Sequence, residues 1–416
     1  DLNKIKNMSI DGKIIIPIKF YIFNEKAKNI VYYSFNQISD KSLFSEGRYI
    51  FNGISKLKYI KFSNYSENNV DVSFQGMFNN CINLLSADFS QMKPNDDFYY
   101  NYYGTDIYDY YYSMDYMFNN CSSLTSINFD FKKDESSNTI DIMSSKYMFN
   151  NCTSLTEIYF YKNLNNMFSN CTSLEAVILS NFYYFGDDLN MSYMFYNCTS
   201  LVSLIFPSEK MNIPHDMSYS FAYCSFLKKL ELEFDYDYYD NISTNTMKGA
   251  FRNCSSLVSI NLKFELYYED MSYLFMGCYS LEDIYTNYFN YYYFPFTKYM
   301  NGMFIDCYSF IGLIIDIEFY SYELRDISYM FSGSYIAFVD FSNVETNHIT
   351  NYEGLFYGCE HLSSADLSSF THNNLPDSNL SIFKGNYTSY PTLVINEEFL
   401  KRIEVPSSFE IIIYKN

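Results

Sequence analysis

Ten cysteines and four histidines carry most of the reactive chemistry that this 416-residue chain offers. Thiols could serve as nucleophiles, metal ligands or disulfide partners. All ten (Cys81, Cys121, Cys152, Cys171, Cys198, Cys224, Cys254, Cys278, Cys307 and Cys359) occupy one position of a recurring phrase. Ligands in a single row cannot enclose a tetrahedral ion. Pairing neighbours, from Cys81 with Cys121 to Cys254 with Cys278, strands Cys307 and Cys359 on either side of a copy that carries Ser334. Two stacking steps of roughly 5 Å exceed disulfide reach. Ile54 and Ser334 also fill this slot, so the row reads as a buried column of free thiols. The histidines are His215, His348, His361 and His372. Only Cys359-Glu360-His361 brings a Cys near a His, and it lacks a third group to orient the pair.

Carboxylates and amides come next. Asp235-x-Asp237-x-x-Asp240 resembles part of a calcium loop but lacks the glycine and closing glutamate. It reads as a solvated acidic loop with weak calcium binding at most. The chain has no phosphate loop, zinc-protease motif or nucleophile elbow. No catalytic, cofactor or metal-ligating residue is assigned, and no enzyme activity is expected. Eleven N-x-Ser/Thr sequons occur, and Asn64, Asn190, Asn241 and Asn386 are candidate glycosylation sites if the chain is secreted. Asn120, Asn151, Asn170, Asn197 and Asn253 each precede a cysteine, and each is expected to hydrogen-bond its own turn.

The third group is aromatic. Residues 96–112 hold eight Tyr, four Asp and no basic residue. Tyrosine combines a large apolar face with a hydroxyl at low entropic cost, which suits recognition. The contact candidates are Tyr99, Tyr100, Tyr102, Tyr103, Tyr108, Tyr110 and Tyr111 here, Tyr236, Tyr238 and Tyr239 in a second loop, and Tyr291 and Tyr292 in a third. Each loop follows an expected strand, so all three should project along one rim.

The scaffold for these groups is a repeat, plainest as Met191-Ser-Tyr-Met-Phe-Tyr-Asn-Cys-Thr-Ser-Leu-Val-Ser-Leu-Ile-Phe206. Met191, Met194, Phe195 and Cys198 fall at i, i+3, i+4 and i+7, which predicts a short helix. Leu201, Leu204 and Phe206 then follow the spacing of a strand. Copies are anchored by Phe51, Phe78, Phe118, Phe149, Phe168, Phe195, Phe221, Phe251, Phe275, Phe304, Phe331 and Phe356, with a basic period of about 24–27 residues plus insertions. The expected fold is an α/β repeat solenoid of about 12 turns, each with one short parallel strand and one short helix. Phe118, Cys121, Phe149, Cys152, Phe195, Cys198, Leu201, Phe251 and Cys254 are expected core residues. Residues 1–45 are taken as an N-terminal cap, 46–385 as the solenoid and 386–416 as a C-terminal cap. In the first cap, residues 14–20 read as a strand with a hairpin partner within 21–35.

A formal charge of −20 opposes binding to nucleic acid or anionic membrane. No run of about 18 apolar residues exists to span a bilayer. The first residue is Asp1, which reads as a mature or trimmed chain after removal of any signal peptide.

The module Met-x-x-Met-Phe-x-x-Cys-x-Ser-Leu-x-x-Leu/Ile-x-Phe resembles the BspA-like leucine-rich repeats, in their MFxxCxSL subtype, over roughly residues 50–370. The resemblance implies a leucine-rich-repeat-like fold, a secreted or cell-surface location and an adhesive role, with no shared catalytic residue. The expected partners are a protein or glycan at a cell surface, or other copies of the chain. The expected function is a recognition or adhesion scaffold displaying the Tyr/Asp loops. The alternative is a structural subunit that assembles into a filament or coat.

Overall fold

In a computed structural model the described residues are 8–10, 13–15, 31–33, 49, 51–55, 57–62, 74–89, 114–128, 145–160, 166–179, 189–205, 211–235, 245–264, 268–286, 297–311, 323–342, 344–370, 381–388 and 390–414. They fall into two compact units, one of residues 1–163 with 167–178 and one of 164–166 with 179–416.

The first unit opens with β1 (Met8–Ile10) and β2 (Lys13–Ile15), an antiparallel pair. Among the described residues, 13–15 pair with the segment before them; residues 16–30 lie outside the described residues. The signal was local: Asp11-Gly12 is a favoured two-residue hairpin connection. Next, β3 (Val31–Tyr33), β4 (Tyr59–Phe62), β5 (Ser86–Asp88) and β6 (Ser126–Asn128) pair in order, all parallel. Then β7 (Glu157–Phe160) neighbours β8 (Ala176–Leu179).

The second unit contains β9 (Ser203–Ile205) and a parallel sheet of β10 (Met211–Asn212), β11 (Lys229–Asp235), β12 (Ser259–Lys263) and β13 (Asp283–Thr286). A second parallel sheet holds β14 (Phe338–Asp340), β15 (Ser364–Leu367), β16 (Thr392–Asn396) and, after the helix α1 (Glu397–Leu400), β17 (Glu410–Tyr414). Alternation drives these strands: in β12, Ile260 and Leu262 face the core while Ser259, Asn261 and Lys263 face out. Each unit is built from parallel β-solenoid turns.

The expected helix in each turn is not there; among the described residues α1 is the only α-helix. The wall opposite the strands is a train of linked turns. In residues 191–201 the N–H groups of Met194, Cys198 and Leu201 donate to carbonyls three residues back, each at 3.1 Å. Those of Met191, Tyr193, Phe195 and Asn197 donate instead to Asp216, Ser218, Ser220 and Ala222 of the next turn, at 2.7–2.9 Å. The first unit shows the same alternation, with Tyr116, Phe118 and Asn120 donating to Lys146, Met148 and Asn150 at 2.9 Å. The cause is backbone handedness. Tyr193 and Asn197 have φ of 52° and 59°, and Tyr116 and Asn120 repeat this at 57° and 58°. A left-handed residue every fourth position breaks the i−4 ladder and rotates alternate peptides toward the neighbouring turn. The solenoid is thus hydrogen-bonded along both walls.

The core lies between the walls. In the first unit the rings of Phe51, Phe78, Phe118, Phe149 and Phe168 stack at 5.2–5.6 Å. In the second, Phe195, Phe221, Phe251, Phe275, Phe304, Phe331, Phe356 and Phe383 stack at 5.3–5.7 Å. Leu201 and its equivalents Leu124, Leu155 and Leu257 are fully buried beside them. An isolated turn would leave both ring faces and half its hydrogen bonds unsatisfied, so turns fold only against neighbours.

Candidate contact surface

The thiols are the first group to place. All ten are free and buried. In the first unit the Sγ atoms of Cys81, Cys121, Cys152 and Cys171 donate to the carbonyls of Phe51, Phe78, Phe118 and Phe149, at 2.9–3.1 Å. In the second, those of Cys224, Cys254, Cys278, Cys307 and Cys359 do the same to Phe195, Phe221, Phe251, Phe275 and Phe331, at 2.9–3.2 Å. The slot therefore takes a small side chain that also donates to the carbonyl of the adjacent turn. Burial raises these thiols, to about 11 for Cys81 and about 12 for Cys171, Cys254 and Cys359. A protonated, buried thiol is a poor nucleophile and a poor ligand. Cys359 points inward, whereas His361 is exposed and packs its ring against Tyr335, so the two form no dyad. Among the described residues no group of His, Cys, Asp and Glu is arranged to hold a metal.

The sequon asparagines before the cysteines differ: Asn170 Nδ2 donates to Ser169 Oγ of its own turn at 3.2 Å. Asn120 and Asn151 do not bond their own turn. Asn151 Nδ2 donates to Asn120 Oδ1 at 2.9 Å, and Asn120 Nδ2 to Asn80 Oδ1 at 2.8 Å, forming an amide ladder across turns. A second ladder runs through Asn150, Asn119 and Asn79 at 2.7–2.8 Å. Asn190 is held by its own turn: its Oδ1 accepts the Ser192 N–H at 2.9 Å and the Ser192 hydroxyl at 2.7 Å. Asn386 is exposed. Asn64 and Asn241 lie outside the described residues, as do all twelve loop tyrosines named above and the Asp237 and Asp240 carboxylates. Two of the three strands expected before those loops are β11 and β13, ending at Asp235 and Thr286.

Exposed aromatics that sequence reading passed over line the turn wall of the second unit. Tyr193 stacks on Tyr219 at 5.2 Å. The next equivalent position is Gly249, where an added Cβ would meet the Tyr219 ring at 2.6 Å; Gly302 stands likewise under Tyr273. Glycine here makes room for the neighbouring tyrosine as well as for a positive φ. Cations settle on this wall: the Arg252 guanidinium lies 5.9 Å over Tyr273, and Lys384 lies 5.9 Å over Tyr357.

A second row follows the cysteine slot. Tyr279 stacks on Tyr308 at 5.3 Å and 7°, Tyr308 meets Tyr335 at 5.5 Å and 53°, and Tyr335 meets His361 at 4.2 Å. The three tyrosines are 43–44% exposed. Elsewhere this slot holds Ser122, Thr153, Thr172, Thr199, Ser225 or Ser255, and in two turns Ile82 and Glu360. Small hydroxyls replaced by tyrosine in three consecutive copies was the signal available in the sequence.

Family comparisons agree with this geometry. The BspA type leucine-rich repeat region matches in six copies over residues 110–191 and 190–294, and a mycoplasma protein family of unknown function, DUF285, matches residues 269–389. The chain belongs to the BspA-like leucine-rich-repeat family. Solved structures similar to this BspA-like chain are so at low identity. A leucine-rich-repeat protein from Bacteroides ovatus is 16% identical, with 81% of this chain and 86% of that one covered and a TM-score of 0.33. The T. pallidum leucine-rich-repeat protein is 15% identical, with 70% and 86% covered and a TM-score of 0.26. An internalin from Listeria monocytogenes is 12% identical, with 87% and 88% covered and a TM-score of 0.24. No curated protein matches the sequence. Among the described residues of this BspA-like chain, no helix is long and apolar enough to cross a membrane.

Proposed function

We propose that this chain is a non-enzymatic recognition scaffold, secreted or displayed at a cell surface, that binds a protein or glycan through side chains on its exterior. One observation carries the reading. The groups with chemical reactivity are consumed by the fold, since the buried thiols donate to backbone carbonyls, while exposed aromatic side chains stand on the surface. Surface aromatics on a rigid frame are the common currency of recognition. In this reading the repeat supplies about 12 turns between caps at 1–45 and 386–416, and the Tyr/Asp loops at 96–112, 234–240 and 288–296 project from strand ends as further contact surface. Deleting residues 96–112 should leave the thermal transition in place and weaken attachment to cells or matrix. Loss of folding on that deletion would make the segment structural cover.

A second reading, self-assembly into a filament or coat, draws on one edge. β17 closes its sheet among the described residues, and all five of its residues are exposed. Ile411 and Ile413 stand in register with the fully buried Leu393 and Ile395 yet remain 41% and 43% exposed. An apolar open edge is a template for a further strand. Sedimentation velocity separates the two readings: a monodisperse monomer at high concentration, with and without calcium, removes the filament.

A further inference from the structure

The row Tyr279, Tyr308 and Tyr335, continued by His361 one position further on in the next turn, departs from a pattern that most other turns keep, with Ile82 and Glu360 as further exceptions. At this slot most other turns place a small hydroxyl, which can donate to the preceding turn: Ser225 Oγ to the Thr199 carbonyl at 3.3 Å, and Thr153 Oγ1 to the Ser122 carbonyl at 3.3 Å. Tyrosine cannot place its distant hydroxyl there. Three consecutive turns therefore give up a hydrogen bond and set a large ring in water, 43–44% exposed. Local rules broken without a packing gain mark functional surfaces, and a contiguous exposed aromatic row marks a contact site.

The surroundings select the partner. Tyr279 and Tyr308 lie only 7° from parallel, so each fills one face of the other and both present edges and hydroxyls outward. The margins are acidic: the Asp306 carboxylate acts electrostatically on the Tyr308 hydroxyl, and Glu282 and Glu360, three residues after Tyr279 and next to His361, are exposed. Nearby on the same unit, Arg252 and Lys384 already rest on tyrosine rings. We infer that the row Tyr279–Tyr308–Tyr335–His361 docks an extended, arginine- or lysine-bearing segment of a partner protein, with its cations held between the tyrosines and the carboxylates of Asp306 and Glu360. This deepens the recognition-scaffold reading and rests on it.

The test uses the whole chain and a labelled synthetic peptide of alternating arginine and glycine, followed by fluorescence anisotropy at physiological salt. A peptide with glutamate for arginine and a set of neutral oligosaccharides run in parallel. Tyr279→Ser, Tyr308→Ser and Tyr335→Ser are combined in one variant. It restores the module's usual residue and leaves the net charge unchanged, so general attraction to a −20 chain is held constant. The expected result is arginine-peptide binding weakened about tenfold or more in this variant. Asp306→Asn, which keeps a residue tolerant of φ 58°, should weaken it several-fold. Equal affinity of wild type and the triple variant, absence of arginine-peptide binding, or preference for the oligosaccharides overturns the proposal. The attachment assay on the 96–112 deletion is independent, so attachment that survives in the triple variant leaves the scaffold reading standing and removes only this site.

Discussion

At the position before the cysteine the two units share one backbone and differ in what they show. The first has Asn80, Asn120, Asn151 and Asn170 there; the second has Asn197, Tyr223, Asn253, Gly277, Asp306, Gly333 and Gly358. All have φ between 58° and 74°. In the first unit the amides lock into a cross-turn ladder. In the second the ladder dissolves into a mixture, and tyrosine rings stack along the slot after the cysteine. The backbone conformation is therefore set by the hydrogen bonds of the turn wall, not by the asparagine ladder. Once the wall holds the chain, outward slots are released for display.

If that contrast is right, interior substitutions should cost the same in both units. Phe149→Ala and Phe251→Ala each remove a fully buried stacked ring and should cost about 3–5 kcal/mol by denaturant unfolding. A large inequality between them would break the shared-interior view. Next come the left-handed slots. Asn120→Val and Gly277→Val place a β-branched residue at φ of 58° and 74°, and each should cost about 1–3 kcal/mol. Asn120→Gly should cost clearly less, losing only the ladder bond. Cys254→Ala removes one of the two hydrogen bonds to the Phe221 carbonyl, which keeps the Cys224 N–H, at about 0.5–1.5 kcal/mol, while Cys254→Ser retains a donor and loses less.

Alkaline pH probes the thiol column in both units at once. The folded thiols are raised from 9.0 to about 12 at Cys171 in the first unit and Cys254 in the second. Between those values the unfolded chain has lost protons that the folded chain retains, so stability is full below pH 9 and falls as pH rises toward 12. A melting temperature that holds steady across that range would show the thiols to be more solvated than their burial implies. The smallest effect is expected at the surface: Tyr308→Ser should stay within about 0.5 kcal/mol of wild type.

Much of this was legible from spacing. Met191, Met194, Phe195, Cys198 and Leu201 form the inward set expected from their periodicity, and all are fully buried. What spacing could not reveal was the backbone beneath it. A train of i→i+3 turns repeats its inward positions much as a helix does, so one pattern fits both. The discriminating sign lay in the positions between, where Asn, Gly, Asp and Tyr recur four residues apart. Tyrosine masked it, because a bulky residue at positive φ is uncommon. The contact row was overlooked for a different reason. Long tyrosine loops drew attention by composition, whereas Tyr279, Tyr308 and Tyr335 are single substitutions within well-formed turns, visible only when copies are aligned slot by slot.

The double hydrogen-bonded wall has a consequence for how such a gene changes. Each turn offers its successor nearly the same set of partners: alternate carbonyls on the turn wall, a strand on the other, a Phe face and a Phe carbonyl awaiting a thiol. Any turn can then follow any other. Duplication or loss of one whole copy leaves both new junctions chemically satisfied, whereas loss of part of a copy misaligns two walls at once. Length should vary in whole-turn steps, and insertions should collect between a strand and the next turn train, where the gaps between anchors stretch to 40 residues and shrink to 19.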